Sequence, residues 1–133
     1  TGGMCHMDAA MTQQGLNEMG IDDVDLIFIE NVGNLVCPAE FDTGAGINIT
    51  ILSVPEGDDK PAKYPLVYTV SDVVLINKVD ALAVFDFDKE LVEKRIHTLN
   101  PKAQIFYISA KKDEGFESWI NYLKEKMKEW EGK

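Results

Sequence analysis

Asn77-Lys78-Val79-Asp80 follows the apolar run Val73-Val74-Leu75-Ile76, and Ser109-Ala110-Lys111 follows Ile105-Phe106-Tyr107-Ile108. Both strings stand where β-strands are expected to end, and together they outline a guanine pocket. A carboxylate at Asp80 can accept from the two adjacent N–H donors on guanine's edge, a pattern adenine does not offer. A bidentate, charge-assisted pair of that kind discriminates strongly. Asn77 would hold the loop and reach the O6/N7 side of the purine, the aliphatic stem of Lys78 would cover base and sugar, and the Ala110 N–H would meet O6. Lys111 completes the second string. The same residue types also suit a plain strand-to-helix turn, where Asn, Asp and Ser act as caps. A second string after the next apolar strand, with a helical segment between, favours the pocket.

Residues 24–30 read as a buried strand that ends in the carboxylate of Glu30, with Gly33 three residues further on. An acidic group there would hold Mg²⁺ through a water or orient an attacking water, while the bare backbone of Gly33 approaches a γ-phosphate oxygen. An acidic strand end leading into an ordinary glycine turn is the alternative. Soft ligands cluster at Cys5-His6 and at Cys37-Pro38. Cys5, His6 and Cys37 would supply three N/S ligands from two loops, suited to tetrahedral zinc or square-planar nickel(II). The fourth position would fall to water, to another residue or to a twofold partner. The spacing matches no zinc finger, and free cysteines often pack as small apolar residues. Lys60 and Lys63 are ambiguous between nucleotide, subunit and solvent contacts, and His97 reads as a surface or packing residue.

These groups need a scaffold, and the pattern predicts one. Short β-branched runs at 24–30, 47–54, 73–76 and 105–108 read as strands buried on both faces. Helices are expected at 7–19, interrupted by Gly15, and at 88–99, with a stripe at Leu91, Val92, Ile96 and Leu99 closed by Asn100-Pro101. A last helix carries Phe116, Trp119, Ile120, Leu123, Met127 and Trp130 on one apolar face beside a lysine-rich, solvated face at 124–133. Alternating elements predict an α/β fold, an open and mostly parallel sheet flanked by helices, with ligands beyond the carboxyl ends of the strands.

The chain has 133 residues, 45% of them apolar, enough for one domain with a real core. No apolar stretch approaches the roughly 20 residues that cross a bilayer, and a cytoplasmic location is expected. A net charge of −10 opposes loose binding to nucleic acid or to an anionic membrane. The two cysteines are expected to bind metal or stay reduced.

Longer strings carry a resemblance. Glu30-Asn31-Val32-Gly33-Asn34-Leu35-Val36-Cys37-Pro38-Ala39, Glu56-Gly57-Asp58-Asp59-Lys60-Pro61 with Lys63-Tyr64-Pro65, and Asn77-Lys78-Val79-Asp80 resemble the HypB family, GTPases that help insert nickel into [NiFe]-hydrogenase. Thr1-Gly2 with Cys5-His6 resembles the same family, and the likeness runs to about Leu123. It implies a P-loop NTPase-like fold, GTP and Mg²⁺ as ligands, and a homodimer holding nickel or zinc through Cys5, His6 and Cys37 at the subunit interface. It also implies two partners, a HypA-type nickel chaperone and the hydrogenase large subunit. The related urease-type nickel GTPases share the guanine motif, but the cysteine after Gly33 followed by Pro38 is more like HypB. No Gly-x-x-x-x-Gly-Lys-Ser/Thr string occurs. Residues 1–133 are therefore expected to be the C-terminal portion of a single P-loop GTPase domain, with the P-loop strand absent and the sheet left open. On that expectation they are nearly inactive in GTP hydrolysis by themselves, and a non-catalytic metal-binding or dimerisation module is the alternative.

Overall fold

Three parallel strands, β1 (Ile49–Ser53), β2 (Val73–Asn77) and β3 (Gln104–Tyr107), form the sheet of the computed structural model, which describes residues 1–132. Their order is β1-β2-β3, with Ile49 opposite Val73 and Val73 opposite Gln104. β2 is central because its sequence leaves it no polar face: Val73, Val74, Leu75 and Ile76 are all buried. The period of two sends Val74 and Ile76 to one face and Val73 and Leu75 to the other, so each face builds its own core.

On the first face, Leu52, Val54, Val74 and Ile76 pack with Val67 and Tyr68 and with Val92, Ile96 and Ala103. Val67 and Tyr68 belong to α4 (Pro65–Thr69), which follows the short α3 (Lys60–Lys63) in the β1-to-β2 crossover; both helices open on a proline near their first turn, where its missing N–H costs nothing. Val92 and Ile96 come from α5 (Lys89–Leu99), whose N-cap Asp88 accepts from the Leu91 N–H at 3.0 Å. On the second face, Val73, Leu75 and Ile108 pack with Trp119 of α6 (Phe116–Glu131). The remaining helices are α1 (Ala9–Met19), capped by Asp8 and unbroken at Gly15, and the four-residue α2 (Cys37–Glu40).

The predicted apolar stripe of α6 is too wide. Trp119 is buried, but Ile120 and Trp130 are each 43% exposed, and Tyr122 takes a place against the sheet beside Phe106. A three-stranded sheet covers only part of a helix's apolar stripe. The lysine-rich face is exposed or half-buried as expected through residue 132, with Lys126 paired to Glu129 at 2.8 Å; Lys133 lies outside the described residues.

Residues 24–30 do not form the predicted strand. A strand exists through its ladder, and this run pairs with no neighbour among the described residues, leaving Phe28 67% exposed. With Ile47 and Ile49 it lines an open cleft of about 430 Å³. The parallel sheet therefore has three strands here, with β1 at an edge.

The Tyr68 side chain is fully buried, and its hydroxyl meets no hydrogen-bond partner among the described residues. Burial also pushes its phenol well above the ordinary range. Replacing a buried, unpartnered hydroxyl by hydrogen removes a desolvation cost. Tyr68→Phe is expected to hold or raise the thermal midpoint, and a drop of several degrees in a melting curve would contradict this.

Candidate nucleotide and metal site

The two guanine strings meet. Asn77 is the last residue of β2, and the ladder continues past it, with the Ile108 N–H donating to the Ile76 carbonyl at 2.8 Å and the Val79 N–H to the Ile108 carbonyl at 3.2 Å. That continuation carries Ser109 into contact with Asp80, to which its hydroxyl donates at 2.5 Å. Ser109 is fully buried and its oxygen also accepts from the Lys112 N–H at 3.2 Å, so the hydroxyl is locked in direction. Asp80 itself is exposed. One carboxylate oxygen is thus oriented from below while the group faces solvent, where a base would dock.

The Ser109 hydrogen bond is the main reason the Asp80 carboxyl lies below its ordinary 3.8; the ammonium groups of Lys111 and Lys112 act in the same direction. Stabilisation of the anion by that bond is present at neutral pH and is lost only as the pH falls through 3.8 and below. Asp80 is therefore ionised at neutral pH, the state in which a carboxylate accepts from two adjacent N–H donors.

Asn77 holds the loop as expected. Its Oδ1 accepts from the Lys78 N–H at 2.7 Å and from the Ala110 N–H at 3.2 Å. The second contact differs from the sequence reading, in which the Ala110 N–H met the base. Here Asn77 takes that donor and pins the two strings together, so base contact at O6 requires the N–H to be shared or released. Lys78 has φ 61°, a left-handed conformation rare outside glycine, which turns the chain sharply into the 3₁₀ turn Val79–Ala81. Lys78 and Lys111 are both exposed.

Glu30 and Gly33 lie on exposed backbone between α1 and α2. Nothing approaches within 4 Å of a Cβ built on Gly33, so its surface is open to a ligand oxygen. Cys37 is the first residue of α2, and Cys5 and His6 lie just before α1. Cys5 is the shared neighbour of the other two. Its sulfur is 3.8 Å from His6 Nδ1, and the neighbouring Cys5 thiol, with burial, pushes the Cys37 thiol up. Both cysteines are free. Among the described residues, no three His, Cys, Asp or Glu side chains surround one point, so the three predicted ligands meet pairwise through Cys5 rather than as a closed coordination shell. Two thiols and an imidazole remain a soft donor set that fits nickel(II) or zinc.

Other charged residues are settled by their contacts. Lys63 pairs with Asp59 at 2.6 Å, Lys60 lies 5.7 Å over the Tyr64 ring, and His97 Nε2 meets the Ala103 carbonyl at 3.1 Å. The sequence reading missed Asn31, Asn34 and Phe41. Asn31 Oδ1 accepts from the Met7 N–H at 2.9 Å, Asn34 Nδ2 donates to the Cys5 carbonyl at 2.8 Å, and the Phe41 and His6 rings stack at 3.5 Å and 7°. Two asparagines flanking a glycine are a turn signal, but nothing local reveals partners 24 to 29 residues away.

Comparison with known proteins adds to this geometry. The family described as "CobW/HypB/UreG, nucleotide-binding domain" matches residues 1–107. Hydrogenase maturation factor HypB of Escherichia coli K12 is 45% identical over 123 residues, which cover 92% of this chain and 42% of that protein. Hydrogenase/urease maturation factor HypB of Helicobacter pylori J99 is 42% identical over 133 residues, covering 97% of this chain and 55% of that protein. The crystal structure of HypB from Helicobacter pylori in complex with nickel superposes with a TM-score of 0.89 at 43% identity, covering 97% of this chain and 62% of that one. HypB from Archaeoglobus fulgidus gives 0.86 at 40% identity, covering 93% and 66%. The chain spans about half the length of the curated relatives it matches.

Proposed function

The chain belongs to the CobW/HypB/UreG nucleotide-binding family, and on that basis we propose that it is the guanine-reading and metal-binding part of a GTPase that delivers nickel to a [NiFe]-hydrogenase. Residues 1–133 are the C-terminal portion of the P-loop GTPase domain in this reading. The observation that carries it is the joining of Asp80, Ser109, Asn77 and Ala110 into one constellation with an ionised, outward-facing carboxylate. Asp80 reads the base, the Lys78 stem covers it, and Asn77 and Ser109 hold the frame, with Ala110 and Lys111 beside the purine edge.

Glu30 and Gly33 face the phosphate end. Mg²⁺, when bound, neutralises phosphate charge, and Glu30 holds it through a water or orients the attacking water. Cys5, His6 and Cys37 take nickel as cargo, with a second copy of the chain completing the site in a homodimer. Nickel is preferred over zinc because a relative's solved structure contains it. Gly33 and Cys37 lie four residues apart on one loop, so a γ-phosphate that draws in the Gly33 backbone moves Cys37 and changes metal affinity. A ligand shifts such an equilibrium only through its differential affinity for the two loop states, so metal and nucleotide must affect each other by the same factor. Partners in this reading are a HypA-type nickel chaperone and the hydrogenase large subunit, in the cytoplasm. No helix among the described residues is long and apolar enough to cross a membrane. Urease is a second destination favoured by one observation, the Helicobacter pylori relative whose name includes it.

The test is a nickel titration with oligomeric state read in parallel, against a variant with Cys5 and Cys37 both changed to alanine. The expected result is one equivalent or less per chain, with dimerisation, both lost in the variant. Undiminished binding and dimerisation by the variant would overturn the metal assignment.

A further inference from the structure

Cys5-His6 and Cys37 come from segments more than thirty residues apart in sequence, and something must hold them together before a metal arrives. Three contacts do so in register. Asn31 Oδ1 accepts from the Met7 N–H at 2.9 Å and from the Val32 N–H at 2.8 Å. The Asn34 carboxamide works at both ends: Nδ2 donates to the Cys5 carbonyl at 2.8 Å, while Oδ1 accepts from the Cys37 N–H at 2.9 Å and the Val36 N–H at 3.1 Å. Phe41, immediately after α2, stacks on His6 at 3.5 Å and 7°. Residues 5, 6 and 7 are each tied to the loop that carries Cys37.

We propose that Asn34 is the positioning residue of the nickel site, its one carboxamide clamping the Cys5 backbone to the Cys37 backbone, with Asn31 and Phe41 fixing the flanking residues. The proposal rests on the reading that Cys5, His6 and Cys37 hold nickel.

The chemistry favours Asn for this role. A carboxamide is a donor and an acceptor on one rigid plane, so it can satisfy a carbonyl on one side and an N–H on the other. Serine accepts from the following N–H groups in a similar turn but is too short to reach across to the Cys5 carbonyl. Asn31 and Asn34 also bracket Gly33. A displacement of the Gly33 backbone therefore reaches Cys5 through the Asn34 carboxamide as well as Cys37 along the chain.

The experiment compares Asn34→Ser, Asn34→Ala and Cys5→Ala in the full-length protein, reading Ni²⁺ affinity and the thiolate-to-nickel charge-transfer absorption, with the thermal midpoint as a check on folding. Asn34→Ser keeps the turn and cuts the tether. It is expected to lower Ni²⁺ affinity at least about tenfold and to reduce the absorption band to that of Cys5→Ala, with the melting temperature unchanged. The double variant Asn34→Ser with Cys5→Ala should bind no more weakly than Cys5→Ala alone, since both act through one ligand. Wild-type affinity and absorption in Asn34→Ser, or losses that multiply in the double variant, would overturn the proposal. Wild-type affinity in Cys5→Ala itself would instead overturn the nickel reading of Cys5. Asn34→Ala, which loses the bonds to the Val36 and Cys37 N–H groups as well as the tether, is expected to lower Ni²⁺ affinity at least as far as Asn34→Ser and also to lower the melting temperature; wild-type affinity in Asn34→Ala would likewise overturn the proposal.

Discussion

Asp80→Asn is expected to invert the base preference of the nucleotide pocket, weakening guanine nucleotides at least about a hundredfold and admitting xanthine nucleotides. Donors and acceptors on the base edge decide the outcome. Guanine presents two adjacent N–H donors, and an ionised carboxylate meets both with acceptors. A carboxamide meets one of them with a donor of its own, leaving a donor against a donor and removing the charge that strengthens both bonds. Xanthine carries a carbonyl where guanine carries the amino group, so it offers one donor and one acceptor, the complement of Asn. The fold should tolerate the change, because Asp80 is exposed and its contact with the Ser109 hydroxyl can pass to an amide oxygen. Fluorescence titration of the full-length protein with GDP, XDP and ADP checks this. Unchanged GDP affinity would remove Asp80 from the pocket.

Gly115→Ala is expected to cost at least about 3 kcal/mol of stability. Gly115 sits at the N-cap of α6 with φ 77°, and a Cβ there would lie 2.0 Å from the Tyr107 carbonyl oxygen and 3.3 Å from Ile108 Cα. Both are backbone atoms of the β3 end, held by the ladder to β2, so neither can yield as a flexible side chain would. Relief must come from the 109–114 loop, which closes on itself through the Ser109 and Glu114 backbones at 3.0 and 3.1 Å. That loop carries Ser109, Ala110 and Lys111, so nucleotide affinity should fall with stability. Chemical denaturation is the measurement, with Gly33→Ala as its control. Gly33 meets nothing within 4 Å, and its variant should match the parent's unfolding midpoint, so any loss of nucleotide response there is local to the phosphate end. Parent-like denaturation of Gly115→Ala would contradict the close approach.

Much of this was legible in the chain because it rests on short-range chemistry. β2 announces itself, since a short apolar run with three β-branched residues, bounded by Asp72 and Asn77, suits a strand buried on both faces. α5 is legible from Val92 and Ile96 four apart and from Asp88 just before them, which became its cap. The meeting of the Asn77-to-Asp80 and Ser109-to-Lys111 strings was legible because each follows one of two successive apolar strands, although the Ala110 N–H is held by Asn77 rather than left free. Residues 24–30 have the composition of a buried strand, yet a ladder partner is not a property of composition, and the run stays unpaired among the described residues. Asn31, Asn34 and Phe41 were hidden for a related reason. Their partners at Met7, Cys5 and His6 are distant in sequence, and polar loop residues look alike until the fold selects which backbone they meet.

The central claim is that nucleotide state and nickel affinity are coupled through the loop that carries Gly33, Asn34 and Cys37. The direct measurement is the Ni²⁺ dissociation constant of the full-length protein, taken once with GDP bound and once with a non-hydrolysable GTP analogue. The account predicts that the two differ at least about fivefold and that nickel shifts the ratio of analogue to GDP affinity by the same factor. Equal nickel affinities in the two nucleotide states would contradict it.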